Sequence, residues 1–234
     1  YGFEKPSLIQ HKAIPILMKG TDVIAQAQSG TGKTGAFSIG SLCRVDEELK
    51  DSQVIILSPT RELADQSFKV IQELSSYTKI TSCKVIGGTR VHDGIQDLRK
   101  NPHVIVGTPG RVLDMLQKKH IFTQHIKTFI IDEADEMLSQ GFQEMIHSIF
   151  NFIPKTTQVG LFSATFPEEL IELSKQFMNN PKQILVKKES LTLEGISQYY
   201  INVKHHNWKY DVLTDIYNTI NIAQCIIYIN SKNI

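Results

Sequence analysis

The stretch Ala25-Gln26-Ala27-Gln28-Ser29-Gly30-Thr31-Gly32-Lys33-Thr34 gathers the residue types needed to hold a polyphosphate. Its glycines let consecutive backbone N–H groups turn toward an anion, Lys33 can reach the outer phosphates, and the Thr34 hydroxyl can ligate Mg²⁺. Gln28, Ser29, Gly30, Thr31, Gly32, Lys33 and Thr34 therefore form a candidate cofactor-binding loop. The run Asp22-Val23-Ile24-Ala25 ahead of it reads as a strand, and residues 35–40 behind it can open a helix whose N-terminus favours anions. Ala27 stands where the strict pattern has its first glycine, so an incidental Gly-rich turn is the plain alternative.

A second set of capable residues is Asp132-Glu133-Ala134-Asp135, which follows the apolar run Phe129-Ile130-Ile131. Asp132, at the end of a buried strand, can hold Mg²⁺ directly or through water, and Glu133 can orient and deprotonate an attacking water. Acids that complement a helix start would explain any one of these carboxylates, but not the apolar strand leading into them. Ser163-Ala164-Thr165 ends another strand, and the Ser163 and Thr165 hydroxyls can bond Asp135 or Glu133 and so couple nucleotide state to domain position. Alone, that tripeptide carries almost no specificity.

Two further junctions resemble each other: Val54-Ile55-Ile56-Leu57-Ser58-Pro59-Thr60-Arg61 and Val104-Ile105-Val106-Gly107-Thr108-Pro109-Gly110-Arg111. Each runs from a strand through proline into a helix that begins at arginine. Side by side, they would offer helix N-termini, hydroxyls and guanidinium groups to successive phosphates of one strand. Proline opening a helix and arginine at a surface is the bland reading of either one alone. Gly87-Gly88 ends another strand and permits a close backbone approach, and Gln10 could read an adenine edge or simply face solvent.

The elements that must position these groups alternate strand and helix. Strands are expected at 53–58, 83–87, 104–108, 128–131, 158–163 and 183–186, and helices at 62–75, 110–118, 143–152 and 168–178. Pro6-Ser7 starts an earlier helix that Pro15 should shorten. The class is α/β with a parallel central sheet flanked by helices, in which ligands bind at the carboxyl ends of strands.

The 234 residues carry Lys+Arg 25 and Asp+Glu 24, so any nucleic-acid contact must come from locally placed groups, not from a strongly basic field. Cys43, Cys83 and Cys225 lack metal-ligand spacing and read as core-filling thiols of a reducing compartment. No apolar run approaches a membrane span and no signal-peptide pattern opens the chain, so a soluble intracellular protein is expected. His205-His206 reads as solvated turn residues, and Tyr199, Tyr200, Trp208 and Tyr210 as core.

Taken in order, Pro6-Ser7-x-Ile9-Gln10, Ala27 to Thr34, Pro59-Thr60-Arg61-Glu62-Leu63-Ala64, Gly87-Gly88, Thr108-Pro109-Gly110-Arg111, Asp132-Glu133-Ala134-Asp135 and Ser163-Ala164-Thr165 resemble the DEAD-box RNA helicases. The resemblance runs along the whole chain and is most like the translation initiation factor 4A subgroup, with a nuclear exon-junction relative nearly as similar. It implies a RecA-like P-loop fold, ATP and Mg²⁺ as cofactors, adenine reading by Gln10, phosphate and metal binding by Gly30 to Thr34 and Asp132, water handling by Glu133, and coupling through Ser163, Thr165 and Asp135. RNA-backbone contacts would fall to Pro59, Thr60, Arg61, Gly88, Thr108, Gly110 and Arg111. Single-stranded RNA or short RNA duplexes, mRNA above all, are the implied substrate, with scaffold or regulatory proteins as partners. A cytoplasmic monomer is implied, with the nucleus as the alternative place.

Two departures qualify the resemblance. The family's aromatic residue that packs on adenine lies upstream of Gly2-Phe3, and the later motifs that bring arginines to the γ-phosphate do not occur in this chain. The expected domains are 1–187, a first RecA-like domain; 188–197, a linker; and 198–234, the beginning of a second, with strands at 197–204 and 225–230 around a helix at 208–219. Such a fragment should bind nucleotide and RNA weakly and show no RNA-stimulated hydrolysis. An unwinding enzyme, an ATP-gated RNA clamp with suppressed turnover, and a P-loop ATPase acting on protein or DNA all remain open at this point.

Overall fold

A computed structural model of the chain describes residue 2, residues 4–185, residue 197 and residues 199–229. The chain divides into two compact units, Tyr1–Leu193 and Glu194–Ile234. The first alternates helices and strands: α1 (Leu8–Met18), β1 (Val23–Gln26), α2 (Lys33–Leu42), β2 (Val54–Leu57), α3 (Arg61–Leu74), β3 (Ser82–Val85), α4 (Val91–Leu98), β4 (Val104–Gly107), α5 (Pro109–Gln117), β5 (Thr128–Ile131), α6 (Ala134–Ser139), α7 (Gln143–Phe150), β6 (Gln158–Ser163), α8 (Glu168–Phe177) and β7 (Lys182–Ile184).

The strands form one parallel sheet in the order β3-β4-β2-β5-β6-β1-β7. Strands β2, β4, β5 and β6, largely apolar, are buried at every residue, as central strands are when helices cover both faces. Alternate residues supply two separate cores. Ile55, Leu57, Phe129 and Ile131 join α5, α7 and α8 on one face, while Val54, Ile56, Val106 and Ile130 join α1, α2 and α3 on the other.

The end of the sheet away from the phosphate loop is latched by polar side chains. The buried Asp22 carboxylate accepts from the Val159 amide at 2.8 Å and the Asn179 amide at 2.6 Å, tying β1, β6 and the turn before β7 together. Gln158 donates to the Leu17 and Thr21 carbonyls at 3.1 and 2.6 Å, fixing the end of α1 to the same corner.

Several expectations require correction. Pro15 lies inside α1 without ending it. Pro15 and His11 share the exposed face of that helix, so the carbonyl left without a donor can be hydrated while Ile9, Ala13 and Leu17 pack inward. Of the three cysteines only Cys83 is buried, its thiol pushed up to about 12 by burial; Cys43 and Cys225 are exposed. Helices α4 and α6 fall outside the expected set.

In the second unit the expected helix is present as α9 (Lys209–Thr219), preceded by a short 3-10 turn at His206–Trp208. Among its described residues no strand forms. Two short apolar segments and one helix supply neither a paired sheet nor an opposing layer, so Tyr199, Tyr200, Trp208 and Tyr210 are 90, 92, 50 and 77% exposed and are not core. His205 and His206 are exposed as expected. Residues 188–196 of the expected linker, Val186 of the last expected strand, and Asn230-Ser231 lie outside the described residues.

Asp22→Asn replaces one acceptor oxygen by an amide that meets a backbone N–H, leaving a buried donor without its acceptor. It should lower unfolding stability by about 1–3 kcal/mol, read as an earlier urea midpoint at unchanged m value. An unmoved midpoint would show that the latch contributes nothing.

Candidate functional site

Parallel pairing brings the carboxyl ends of β1, β5 and β6 together, and with them the phosphate loop, the acidic segment and Ser163. Gly30 and Gly32 adopt φ of +80° and +96°, which the loop needs in order to reverse twice before α2. A Cβ on Gly32 would lie 2.6 Å from the Gln10 amide nitrogen, so a side chain there would push the end of Gln10 aside.

Gln10 is buried, which overturns the solvent-facing alternative. Its Oε1 accepts from the Ser7 amide at 2.9 Å while Ser7 Oγ accepts from the Gln10 amide, a reciprocal cap on α1, and its Nε2 donates to the Gly32 carbonyl at 3.3 Å. Lys33 is also buried. Its ammonium donates to the Ala27 carbonyl at 3.0 Å and lies 3.1 and 3.2 Å from the two Glu133 oxygens. Thr31 closes the turn by donating its hydroxyl to the Gln28 carbonyl at 2.6 Å.

Ser29, Gly30, Gly32, Lys33, Thr34, Asp132 and Glu133 line one cavity of about 320 Å³. Asp132 is almost wholly buried; burial first, then the neighbouring Glu133 charge, pushes its carboxyl up to about 7 against the pull of Lys33. A carboxylate so placed gains greatly from a cation beside it, and with the Thr34 hydroxyl on the same cavity it makes an oxygen-donor pair that fits Mg²⁺. Glu133 itself has φ +46°, a left-handed conformation that costs a non-glycine residue about 1 kcal/mol and aims its carboxylate at Lys33.

Asp135 faces the other way. Burial raises its carboxyl, but hydrogen bonds from Thr165 and Ser163 and from backbone amides outweigh that and hold it below the usual range. The Thr165 hydroxyl and amide reach Asp135 Oδ2 at 2.6 and 3.0 Å, and Ser163 Oγ accepts from the Asp135 amide at 3.2 Å. The Ser163 carbonyl also receives the Ala27 amide at 3.0 Å, so one strand end holds both the phosphate loop and the acidic helix.

The two Pro–Arg junctions stand on neighbouring strands, with Leu57 level with Gly107 and Gly107 level with Val85. Thr60 caps α3 by accepting from the Leu63 amide at 3.2 Å. Pro59, Thr60, Arg61, Thr108, Gly110 and Arg111 line an open groove of about 650 Å³ together with Gly87. The Arg61 guanidinium lies across Gly87 and Gly88; at Gly88, with φ +77°, any side chain would strike it. Arg111 donates to the Thr89 carbonyl at 3.4 Å.

Most of the expected site residues thus fall at one sheet edge, in two adjoining sets; Gln28 and Thr31 instead line a separate cavity beside the start of α1, and Gly88 lies against Arg61 without lining the groove. The sequence reading missed Leu63, Gln66, Ser67 and Val70, which wall the first cavity, and Phe142 and Asp114 of the groove. The first four have the i, i+3, i+4, i+7 spacing of a single helix face, a signal present in the sequence. Phe142 carried none.

Residues 7–173 match the DEAD/DEAH box helicase family. The chain is 52% identical over 232 residues to the ATP-dependent RNA helicase eIF4A of Aspergillus oryzae, covering 99% of this chain and 55% of that protein. It is equally 52% identical to eukaryotic initiation factor 4A of Drosophila melanogaster, covering 99% and 58%. Among solved structures, S. cerevisiae Dbp5 bound to RNA and ADP BeF3 superposes with a TM-score of 0.81 at 41% identity, over 92% of this chain and 55% of that one. A DEAD box protein from Methanococcus jannaschii gives 0.77 at 38% identity, over 92% and 58%. The chain therefore spans little more than half the length of these relatives. The family match over residues 7–173 and the RecA-like parallel sheet shared with these solved structures agree, and the chain belongs to the DEAD/DEAH box helicase family.

Proposed function

We propose that the protein is an RNA-dependent ATPase that binds ATP with Mg²⁺ in the loop cavity and the backbone of single-stranded RNA in the adjoining groove, and so separates short RNA duplexes during translation initiation in the cytoplasm. The observation that carries this reading is the adjacency of the two sites: β2 and β5 pair with Leu57 level with Ile131, so the groove's first junction and the acidic segment begin at neighbouring strand ends. The initiation-factor assignment rests on the 52% identity to proteins named eIF4A, and the cytoplasmic one on the same likeness. We further propose that residues 198–234 begin a second RecA-like domain, that the whole protein acts as a monomer, and that scaffold or regulatory proteins attend it.

In this reading Lys33 leaves Glu133 for the outer phosphates, and Thr34 and Asp132 would hold the metal. Freed of Lys33, Glu133 orients the attacking water and takes its proton. Bound Mg²⁺ would supply charge neutralisation along the polyphosphate. Asp135 stays bonded to Thr165 and Ser163 and through them couples nucleotide state to domain position. Gln10 exchanges its internal partners for an adenine edge. In the groove, Arg61 and Arg111 pair with phosphates while Pro59, Thr60, Gly88, Thr108 and Gly110 shape the path of the backbone, a mode that holds RNA without reading sequence.

Lys33→Ala should weaken ADP binding by about 2–3 kcal/mol, measured by calorimetric titration of the chain; unchanged affinity would remove the loop from the nucleotide site. Glu133→Gln, in a protein extended to the length of the relatives, should keep ATP and RNA binding and lose RNA-stimulated phosphate release, and turnover at the wild-type rate would exclude Glu133 as the base. Arg61→Ala and Arg111→Ala should each lower RNA affinity alike for different sequences and flatten its salt dependence. Loss confined to one RNA sequence would contradict backbone binding.

A further inference from the structure

At the end of the sheet opposite the phosphate loop, the segment from Gln117 to Lys127 and the segment from Asn151 to Thr157 contain four lysines, two histidines and no acidic residue. The two segments are stitched together: Thr123 Oγ1 donates to the Phe152 carbonyl at 2.6 Å, and Thr157 Oγ1 to the Ile126 carbonyl at 2.9 Å. On this fixed platform Phe122 and Phe152 are 57 and 40% exposed. Beside it, Phe150, Ile153, Pro154, Phe177 and Met178 form the apolar wall of a cavity of about 380 Å³ whose lining also includes the polar Lys155, Gln176 and Asn179. Lys118 is paired with Asp114, but among the described residues Lys119, Lys127 and Lys155 have no carboxylate within ion-pair distance.

Lysines at a helix end complement its dipole, which accounts for Lys118 and Lys119 after α5. It does not account for Lys127 or Lys155, nor for two exposed phenylalanines. Lys119 itself has φ +57° as the residue closing α5, with its amide on the Leu116 carbonyl at 3.0 Å and the His120 amide on the Met115 carbonyl at 2.8 Å. Glycine is the residue that suits such a position, so Lys119 holds its cation here against a local backbone cost.

We propose that this surface docks an acidic peptide segment of a partner protein, its carboxylates meeting Lys119, Lys127 and Lys155 and an apolar side chain filling the adjacent cavity. A peptide suits it better than RNA. The chain's candidate phosphate-binding arginines and helix N-termini stand at the other edge, whereas this end offers lysines, helix C-termini and a cavity with one apolar wall.

The test is titration of the isotope-labelled 234-residue chain with a short synthetic peptide of Glu and Asp pairs around Phe and Leu, followed by amide correlation spectra, with a Gln-substituted peptide and oligouridylate as the other arms. Perturbed amides should cluster in 117–127 and 150–157 with the acidic peptide. Lys119→Gly combined with Lys155→Gln should weaken that binding by at least about fivefold, without lowering Tm, since glycine suits position 119. Scattered or absent perturbation overturns the proposal. So does oligouridylate perturbing the same amides more tightly, or a lowered Tm with unchanged peptide affinity, which would leave the lysines serving only the helix ends.

Discussion

Parallel pairing is the constraint on which everything else in the first unit rests. It points every strand the same way, so every strand-to-helix turn that follows a strand lies on one edge. The sheet order then divides that edge. On one side β1, β5 and β6 deliver the loop, the acids and the Ser163 hydroxyl; on the other β2, β3 and β4 deliver the two Pro–Arg turns and the paired glycines. A swap of two strands would leave each motif intact in sequence and scatter them in space.

Within that arrangement, electrostatics is concentrated at one ammonium group. Lys33 is buried against the Ala27 carbonyl and both oxygens of the Glu133 carboxylate, and it is the only lysine or arginine ion-paired to the acidic segment among the described residues. Its presence moderates the upward push on Asp132, while the left-handed backbone at Glu133 keeps that carboxylate within reach. Strain at a single residue is tolerated because its surroundings are rigid: Asp132 is held in β5's ladder by its amide on the Leu57 carbonyl, and Met137 N bonds the Glu133 carbonyl to continue α6.

Much of this was legible in the sequence, for a physical reason. Strands buried on both faces are largely apolar, so 128–131 and 158–163 stood out with only Thr128, Gln158 and Ser163 polar at their ends, and the motifs that follow located themselves. What escaped reading depends on tertiary context. Helix α6 is only six residues long and too short to show a period. Burial of Gln10 comes from Gly32, twenty-two positions away, and the survival of α1 past Pro15 from which of its faces is wet. In the second unit, apolar alternation suggested strands, but a strand is a property of a pair, and among residues 199–229 none is made.

The internal partners of the site groups change what binding there means. Gln10 is already bonded at both ends of its amide, Lys33 at a carbonyl and two carboxylate oxygens, and Thr31 to its own loop. Occupying the site is therefore a substitution and not an addition: each new contact displaces an old one of similar kind, and the net enthalpy is a small difference of large terms. Discrimination between ligands then depends less on how many bonds each can make than on which can release Lys33 from Glu133, because only that exchange frees a carboxylate as well as filling a cavity.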